Sequence, residues 1–322
     1  MRTRAFGRSG WPVSEVGYGM WGMGGWSGSD DAESLASLHR AVEGGCTFFD
    51  TAFAYGSGHS ERLLGQVARA HPDRGLIVAT KVPPKNLKWP GKAEYPASDT
   101  FPADHIHDCT TTSLANLGLE RLDLLQLHVW DDAWAADDGW KRAADELKQS
   151  GRIRAFGISV NRWQPENVLA AIATGLVDAV QVVYNVFDQA PEDTLFPACR
   201  AAGVAVIARV PFDEGALTGT LTRDSRFPDG DWRGTYFTPA HLDATLTRVE
   251  RLTPLLPEGV SLPALALRFI LSSGDVSTVI PGMRKARHVD ANLAASEAGA
   301  LPAELVQALR AHRWNRLPNQ TA

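Results

Sequence analysis

The fold class this sequence predicts is α/β, a closed (β/α)8 TIM barrel with an N-terminal hairpin and an extra C-terminal helix. Three observations carry the prediction. Eight short segments are apolar with few breaks, at residues 16–20, 47–49, 75–82, 122–128, 153–160, 177–184, 204–210 and 276–280. Continuously apolar strands are covered on both faces, as in a parallel sheet with helices packed against it. Helix-period segments lie between them, at 110–117, 140–149, 165–173, 192–202, 239–252, 262–271 and 287–295. No linker or compositional break divides the 322 residues, so 1–322 are read as one domain of barrel size.

From the N-terminus, residues 4–6 and 11–13 flank Gly7-Arg8-Ser9-Gly10 and predict a small hairpin that plugs one end of the barrel. The first barrel strand leads into a glycine-rich loop holding Trp21 and Trp26. Asp30 and Asp31 are placed to cap a helix with Leu35, Leu38, Ala41 and Val42 on one face. The second strand ends at Asp50, with Tyr55 five residues on and a Gly56-Ser57-Gly58 turn after it. The third, GLIVATKV, carries Lys81 near its end and is closed by Pro83-Pro84. The fourth, LDLLQLH, ends at His128. Residues 302–313 form the additional helix. A doubly wound open sheet is the rival architecture. It is set aside because GYGMWG, after the first strand, is read as lacking the spacing of a dinucleotide turn and runs on into Gly-Trp.

Composition narrows the function. A net charge of −5 with no long basic run argues against nucleic acid as a partner. Cys46, Cys109 and Cys199 are widely spaced and odd in number, which fits a reduced compartment and offers neither a disulfide framework nor metal-ligand spacing. No signal-peptide core opens the chain and no window is long enough to span a membrane, so a cytoplasmic protein is expected.

In a barrel of this kind the strand C-termini meet at one rim, where active sites lie. Asp50, Lys81 and His128 end adjacent strands and Tyr55 sits just beyond one, so the four converge in one cleft. An ammonium beside a tyrosine favours the phenolate and makes the phenol a better acid. Such a tyrosine can protonate a developing alkoxide, while a neutral imidazole orients the carbonyl oxygen. Any one of the four alone is an ordinary structural residue. Their coincidence on adjacent strand ends is what points to proton chemistry. A metal-dependent barrel hydrolase would want histidine pairs at strand ends, and His128 stands alone, so no metal is expected.

These residues resemble the aldo-keto reductases. FFDTAFAYGSGHSERLLG is similar to their first signature, LDLLQLH to their second landmark and VSTVIPGMRKARHVDANL to their C-terminal cofactor segment. The resemblance implies carbonyl–alcohol interconversion with NADPH, or less favourably NADH, and no metal. It implies Tyr55 as general acid/base, Lys81 lowering its pKa, Asp50 holding Lys81 and His128 orienting the substrate. An NADPH-binding sensor barrel with little turnover is the alternative. Cofactor contacts implied are Gly19, Met20 and Asp50, and Ser159, Asn161 and Gln181 on the nicotinamide carboxamide. Arg209 stands in the place of a stacking aromatic, where its planar guanidinium can stack on the ring. Its other reading is an ion pair with Asp213 or Glu214. Pro211, Phe212 and Gly215 fall in the loop along the pyrophosphate. Gly282, Met283, Arg284, His288 and Asn292 fall at the adenosine end, where a helix start with extra cations suits a 2′-phosphate. The substrate, a small carbonyl or alcohol, would meet Tyr55, His128, Trp21, Trp26 and Trp130, with Trp134, Trp89 and Trp232 as further aromatics. Asp131 and Asp132 beside His128 would disfavour acidic substrates.

Overall fold

The structure, a computed structural model, describes residues 1–25 and 28–316. Strands β1 (Thr3–Phe6) and β2 (Trp11–Ser14) form an antiparallel hairpin. Eight parallel strands follow: β3 (Tyr18–Gly19), β4 (Phe48–Asp50), β5 (Ile77–Val82), β6 (Leu122–Leu127), β7 (Ile153–Ser159), β8 (Ala179–Val183), β9 (Ala205–Arg209) and β10 (Val276–Val279). Each pairs with the next in sequence order. Parallel bridges from Val16 to Val279 and from Gly19 to Gly282 bring the first and last strands together, so the sheet curls into a nearly closed barrel.

The hairpin does plug the barrel. Phe6 and Val13 pack into its base with Phe48, Ile77, Leu124, Ala155, Ala179, Ala205 and Ile207. The alanines leave room for the Phe6 ring, which stacks on Trp11 and tilts against Phe48. Arg4 fixes the plug by donating to the Ser273, Val276 and Leu271 carbonyls and pairing with Glu15.

Sequence position explains the helix boundaries. Asp30 caps the helix Asp31–Glu43 by accepting from Glu33 N at 2.8 Å. The helix expected at 110–117 starts earlier, at Ala103 just after Pro102; Ile106 is the one buried residue of its first two turns, so little apolar signal marks them in the sequence. The one expected at 165–173 shrinks to Leu169–Ala173. The C-terminal helix is Ala303–Arg310.

The glycines of GYGMWG do keep the G-x-G-x-x-G spacing, contrary to the ground on which a dinucleotide turn was set aside. Their conformation is nevertheless not that turn. A short 3-10 segment, Trp21–Met23, follows β3 where the fingerprint needs a helix. Gly19 is a close-approach position at ring closure: a Cβ there would lie 2.6 Å from the Ile280 carbonyl oxygen. Among the described residues no helix is long and apolar enough to cross a membrane.

Helix His59–Ala70 packs on Ala103–Leu117 through Gly65, where a Cβ would meet the Leu117 carbonyl oxygen at 2.3 Å. Backbone cannot yield as a side chain can, so Gly65→Ala is expected to cost about 1–3 kcal/mol. Urea unfolding checks this, and an unchanged midpoint would show that the two helices separate freely.

Candidate active site

Lys81 is the second-last residue of β5 and points into the lumen with 1% of its surface exposed. Its Nζ donates to Asp50 Oδ2 at 2.5 Å and to the Thr51 carbonyl at 2.7 Å. The Tyr55 hydroxyl lies 3.5 Å away. The second carboxylate oxygen of Asp50 accepts from Gln126 Nε2 at 3.1 Å and Gln181 Nε2 at 2.9 Å. One carboxylate thus collects donors from β5, β6 and β8 across the barrel. Gln126 was not singled out from sequence. It stands beside Lys81 in the β5–β6 register, and its polarity inside LDLLQLH, two residues before His128, was the available signal.

His128 follows β6, and its backbone N–H donates to the Val82 carbonyl at 3.0 Å. Its ring meets Tyr55 edge-on at 5.6 Å and Trp89 at 4.7 Å, and its Nδ1 has no hydrogen-bond partner. The four residues named from sequence therefore share one cluster, with Asp50, Tyr55 and Lys81 buried and His128 half-buried. Burial, then the positive charges of Lys81 and Arg209, push the imidazole well below its ordinary pKa, so it is neutral. Burial works against the Lys81 charge, but Asp50 and Tyr55 outweigh it and the ammonium is held above its ordinary value. For Tyr55 burial is the largest influence and raises the pKa. Lys81 opposes it without reversing the direction. The expected lowering by Lys81 is present as one contribution, and the phenol is protonated at neutral pH.

The residues assigned to the cofactor come from β3, β4, β7, β8 and β9, the connections that follow strands, and the helix Ala286–Ala298; Met20 and Met283 are buried in the core. Met20 N–H donates to the Asp50 carbonyl, and Gly19 is bridged to Gly282. Ser159 and Gln181 are partners in the β7–β8 register. Gln181 spends its amide on Asp50 and Gln126. The Asn161 amide donates to the Gly91 and Trp130 carbonyls at 2.8 Å each, so it ties loops together. Arg209 ends β9, donates through Nη2 to the Val160 carbonyl at 2.9 Å and has no partner at Nε. Burial first, then Arg162, lowers its pKa to about 10, which leaves it cationic. It is not paired with Asp213 or Glu214, which are held by Arg316 and Arg162.

Pro211 and Phe212 follow, and Gly215 has φ 108° with open space where a Cβ would stand. Gly282 is open in the same way. The Met283 carbonyl accepts from Tyr18, and Arg284 donates to the Gly22 carbonyl. His288 and Asn292 lie on the helix Ala286–Ala298. Asn292 is buried with its Nδ2 unpartnered. An orphaned buried amide and two open glycines fit a bound dinucleotide, since buried donors are normally satisfied.

The aromatic wall needs correction. Trp130 is fully buried, edge-on to Trp134 and Trp140, with its indole N–H on Asp132, so it faces the core and not the cleft. Trp134 is buried beside it, and Trp232 packs on Tyr236. Trp21 and Trp89 are 41% and 48% exposed. Trp26 lies outside the described residues. Asp131 accepts from Ala133 N, and Asp132 accepts from Ala170 and Ala171 N. Both carboxylates serve backbone amides, of their own loop and of the helix Leu169–Ala173. No cluster of metal-binding side chains occurs among the described residues.

The model of the Aldo/keto reductase family matches residues 15–313. The chain belongs to that family. It is therefore an NAD(P)H-dependent oxidoreductase acting on small carbonyl or alcohol substrates. Among curated proteins, this aldo-keto reductase is 28% identical over 303 residues to the NADH-specific methylglyoxal reductase of Escherichia coli, covering 88% of this chain and 90% of that one. It is 28% identical over 324 residues to pyridoxal 4-dehydrogenase of Microbacterium luteolum, covering 90% and 91%. Among solved structures, an aldo-keto reductase of Bacillus halodurans in its holo form superposes with a TM-score of 0.78 at 27% identity, covering 100% and 99%. The glycerol dehydrogenase of Gluconobacter oxydans gives 0.77 at 29%, covering 94% and 92%.

Removing one member of a buried ion pair leaves the other uncompensated. Asp50→Asn is expected to lower stability by about 3–5 kcal/mol. Chemical unfolding of this variant measures the loss, and a wild-type value would mean the Lys81 ammonium is stabilised by other groups.

Proposed function

We propose that this aldo-keto reductase reduces aldehydes or ketones with NADPH, with Tyr55 as general acid and His128 orienting the carbonyl. The observation that carries the reading is the Lys81 ammonium, fixed by Asp50 and 3.5 Å from the Tyr55 hydroxyl. The nicotinamide, when bound, supplies the hydride to the carbonyl carbon. His128, neutral and half-buried beside Tyr55, offers a hydrogen bond to the carbonyl oxygen. As charge grows on that oxygen, Tyr55 gives it a proton, and the Lys81 ammonium stabilises the phenolate left behind. In the reverse direction the phenolate takes the alcohol proton. Ser159 and Gln181 are the groups proposed for the carboxamide, with Gly19, Met20 and Asp50 close by.

The basic start of the helix Ala286–Ala298, with Arg284, Lys285 and His288, supports NADPH over NADH. Asn292 would serve the adenine end and the 211–219 loop the pyrophosphate. The Escherichia coli relative is NADH-specific by name. Both cofactors therefore belong in the assay. Trp21, Leu87 and Trp89 are the large apolar side chains exposed among the described residues, and Trp89 touches His128. This favours an aryl or short alkyl aldehyde as substrate. The relatives named for methylglyoxal, pyridoxal and glycerol keep small polar carbonyls in the same panel. Arg209 in the place of the family's stacking aromatic would set a cation beside the pyridine ring, which disfavours the positively charged oxidised form and biases the enzyme to reduction.

Three measurements test this reading. In a panel of aryl aldehydes and sugars followed by NADPH absorbance, Tyr55→Phe is expected to lower kcat by roughly 10²–10⁴-fold, and wild-type turnover would eliminate Tyr55 as the donor. Because the phenol is raised above its ordinary pKa of about 10, reduction is expected to hold level through neutral pH and fall only at strongly alkaline pH, while oxidation rises with pH. A reduction rate falling between pH 7 and 9 contradicts that assignment. Arg209→Tyr is expected to tighten NADP+ relative to NADPH, and an unchanged ratio of affinities removes the charge effect.

A further inference from the structure

The connection after β9 has a backbone that non-glycine residues rarely adopt. Val210, Asp213 and Glu214 have φ of 57°, 45° and 56°, and Gly215 follows at 108°. Left-handed backbone is strained at such residues and persists only where the surroundings over-determine it. Each of the three is pinned by a side chain from elsewhere. Asn185 Nδ2 donates to the Val210 carbonyl at 3.0 Å. Arg316 Nη1 and the Tyr236 hydroxyl donate to Asp213 Oδ1 at 2.9 and 2.7 Å. Arg162 pairs with Glu214.

Arg316 comes from beyond the last helix, yet it is buried. Its Nε donates to Asp188 Oδ1 at 3.0 Å, and its Nη2 pairs with the other oxygen. Asp188 follows β8 and accepts from Asn185 Nδ2 at 2.9 Å. One guanidinium therefore joins the connections after two neighbouring strands. The rings of Trp163 and Trp314 cover it at 5.0 and 4.8 Å, and the Trp314 backbone N–H donates to the Phe187 carbonyl.

We propose that Arg316 is a positioning residue for the cofactor, a strap that holds the 211–219 loop in the shape that receives the diphosphate. The inference rests on the reading that this loop runs along the pyrophosphate. Two effects act in the same direction. Arg316 holds the left-handed backbone at Asp213, and its charge offsets Asp188 and Asp213, two carboxylates that would otherwise repel an incoming dianion. The partners of Arg316 are Asp188, Asp213 and Tyr236, none of them a proton-transfer residue, so its removal acts on cofactor affinity and spares the chemical step.

The test is NADPH titration by quenching of intrinsic fluorescence, with steady-state kinetics and hydrogen exchange on the full chain. Arg316→Ala is expected to raise the NADPH Kd by about ten-fold, equivalent to ~1.4 kcal/mol. It is expected to leave kcat at saturating NADPH close to wild type and to speed amide exchange in 211–219. Arg316→Lys keeps the charge but cannot bridge both carboxylates, so an intermediate Kd is expected, and this variant carries the test if Arg316→Ala does not fold. A wild-type Kd in both variants overturns the strap, as does a loss of kcat at saturation with Kd unchanged. Gly215→Ala separates the two readings. A raised Kd there with an unchanged one in Arg316→Ala defeats the strap alone. An unchanged Kd in Gly215→Ala, with wild type binding NADPH, shows that the loop is not on the diphosphate.

Discussion

The buried ion pair between Lys81 and Asp50 is the interaction on which the site depends. An ammonium in a lumen lined by apolar strands is costly unless an opposite charge and further acceptors meet it. Asp50 and the Thr51 carbonyl meet that need, and Gln126 and Gln181 satisfy the other oxygen of Asp50. These donors come from three strands, so the pair is complete only when the sheet has curled. Its charge then sets the state of the neighbours. It adds to the burial that keeps His128 neutral, and it stands ready beside Tyr55 for the moment the phenol gives up its proton.

Much of this was legible in the sequence because a polar residue ending an apolar run is conspicuous. Asp50, Lys81 and His128 announce themselves that way, and the eight runs mark the strands. Gln126 was hidden by the same logic, since it sits inside a run and its purpose appears only in register with Lys81. The aromatic and acidic residues after His128 were misassigned because proximity in sequence does not give direction. Trp130 turns into the core, while Asp132 turns to the amides that begin the helix Leu169–Ala173. β3 is only two residues long, and close approach at Gly19, not apolar content, marks ring closure there.

The loop after β9 was the least legible part. Its sequence points to the pyrophosphate only through the resemblance, and three of its left-handed residues are not glycine and are held from distant segments. Arg209 illustrates the same point. Its two nearby carboxylates were plausible partners in sequence, but each is already engaged by another arginine, which leaves the guanidinium facing the rim with an unpartnered Nε. Electrostatics at the rim thus depends on a hierarchy of pairings that only the folded chain reveals.

The ring itself is closed by contacts between residues 16–19 and 279–282. A nascent chain halted anywhere before that last strand has two open sheet edges and lacks the 282–284 segment. During synthesis on the ribosome the lysine and its aspartate can therefore meet long before the barrel is sealed. The enzyme matures late, and prematurely terminated fragments present unpaired strands, the kind of surface on which chaperones and proteases act.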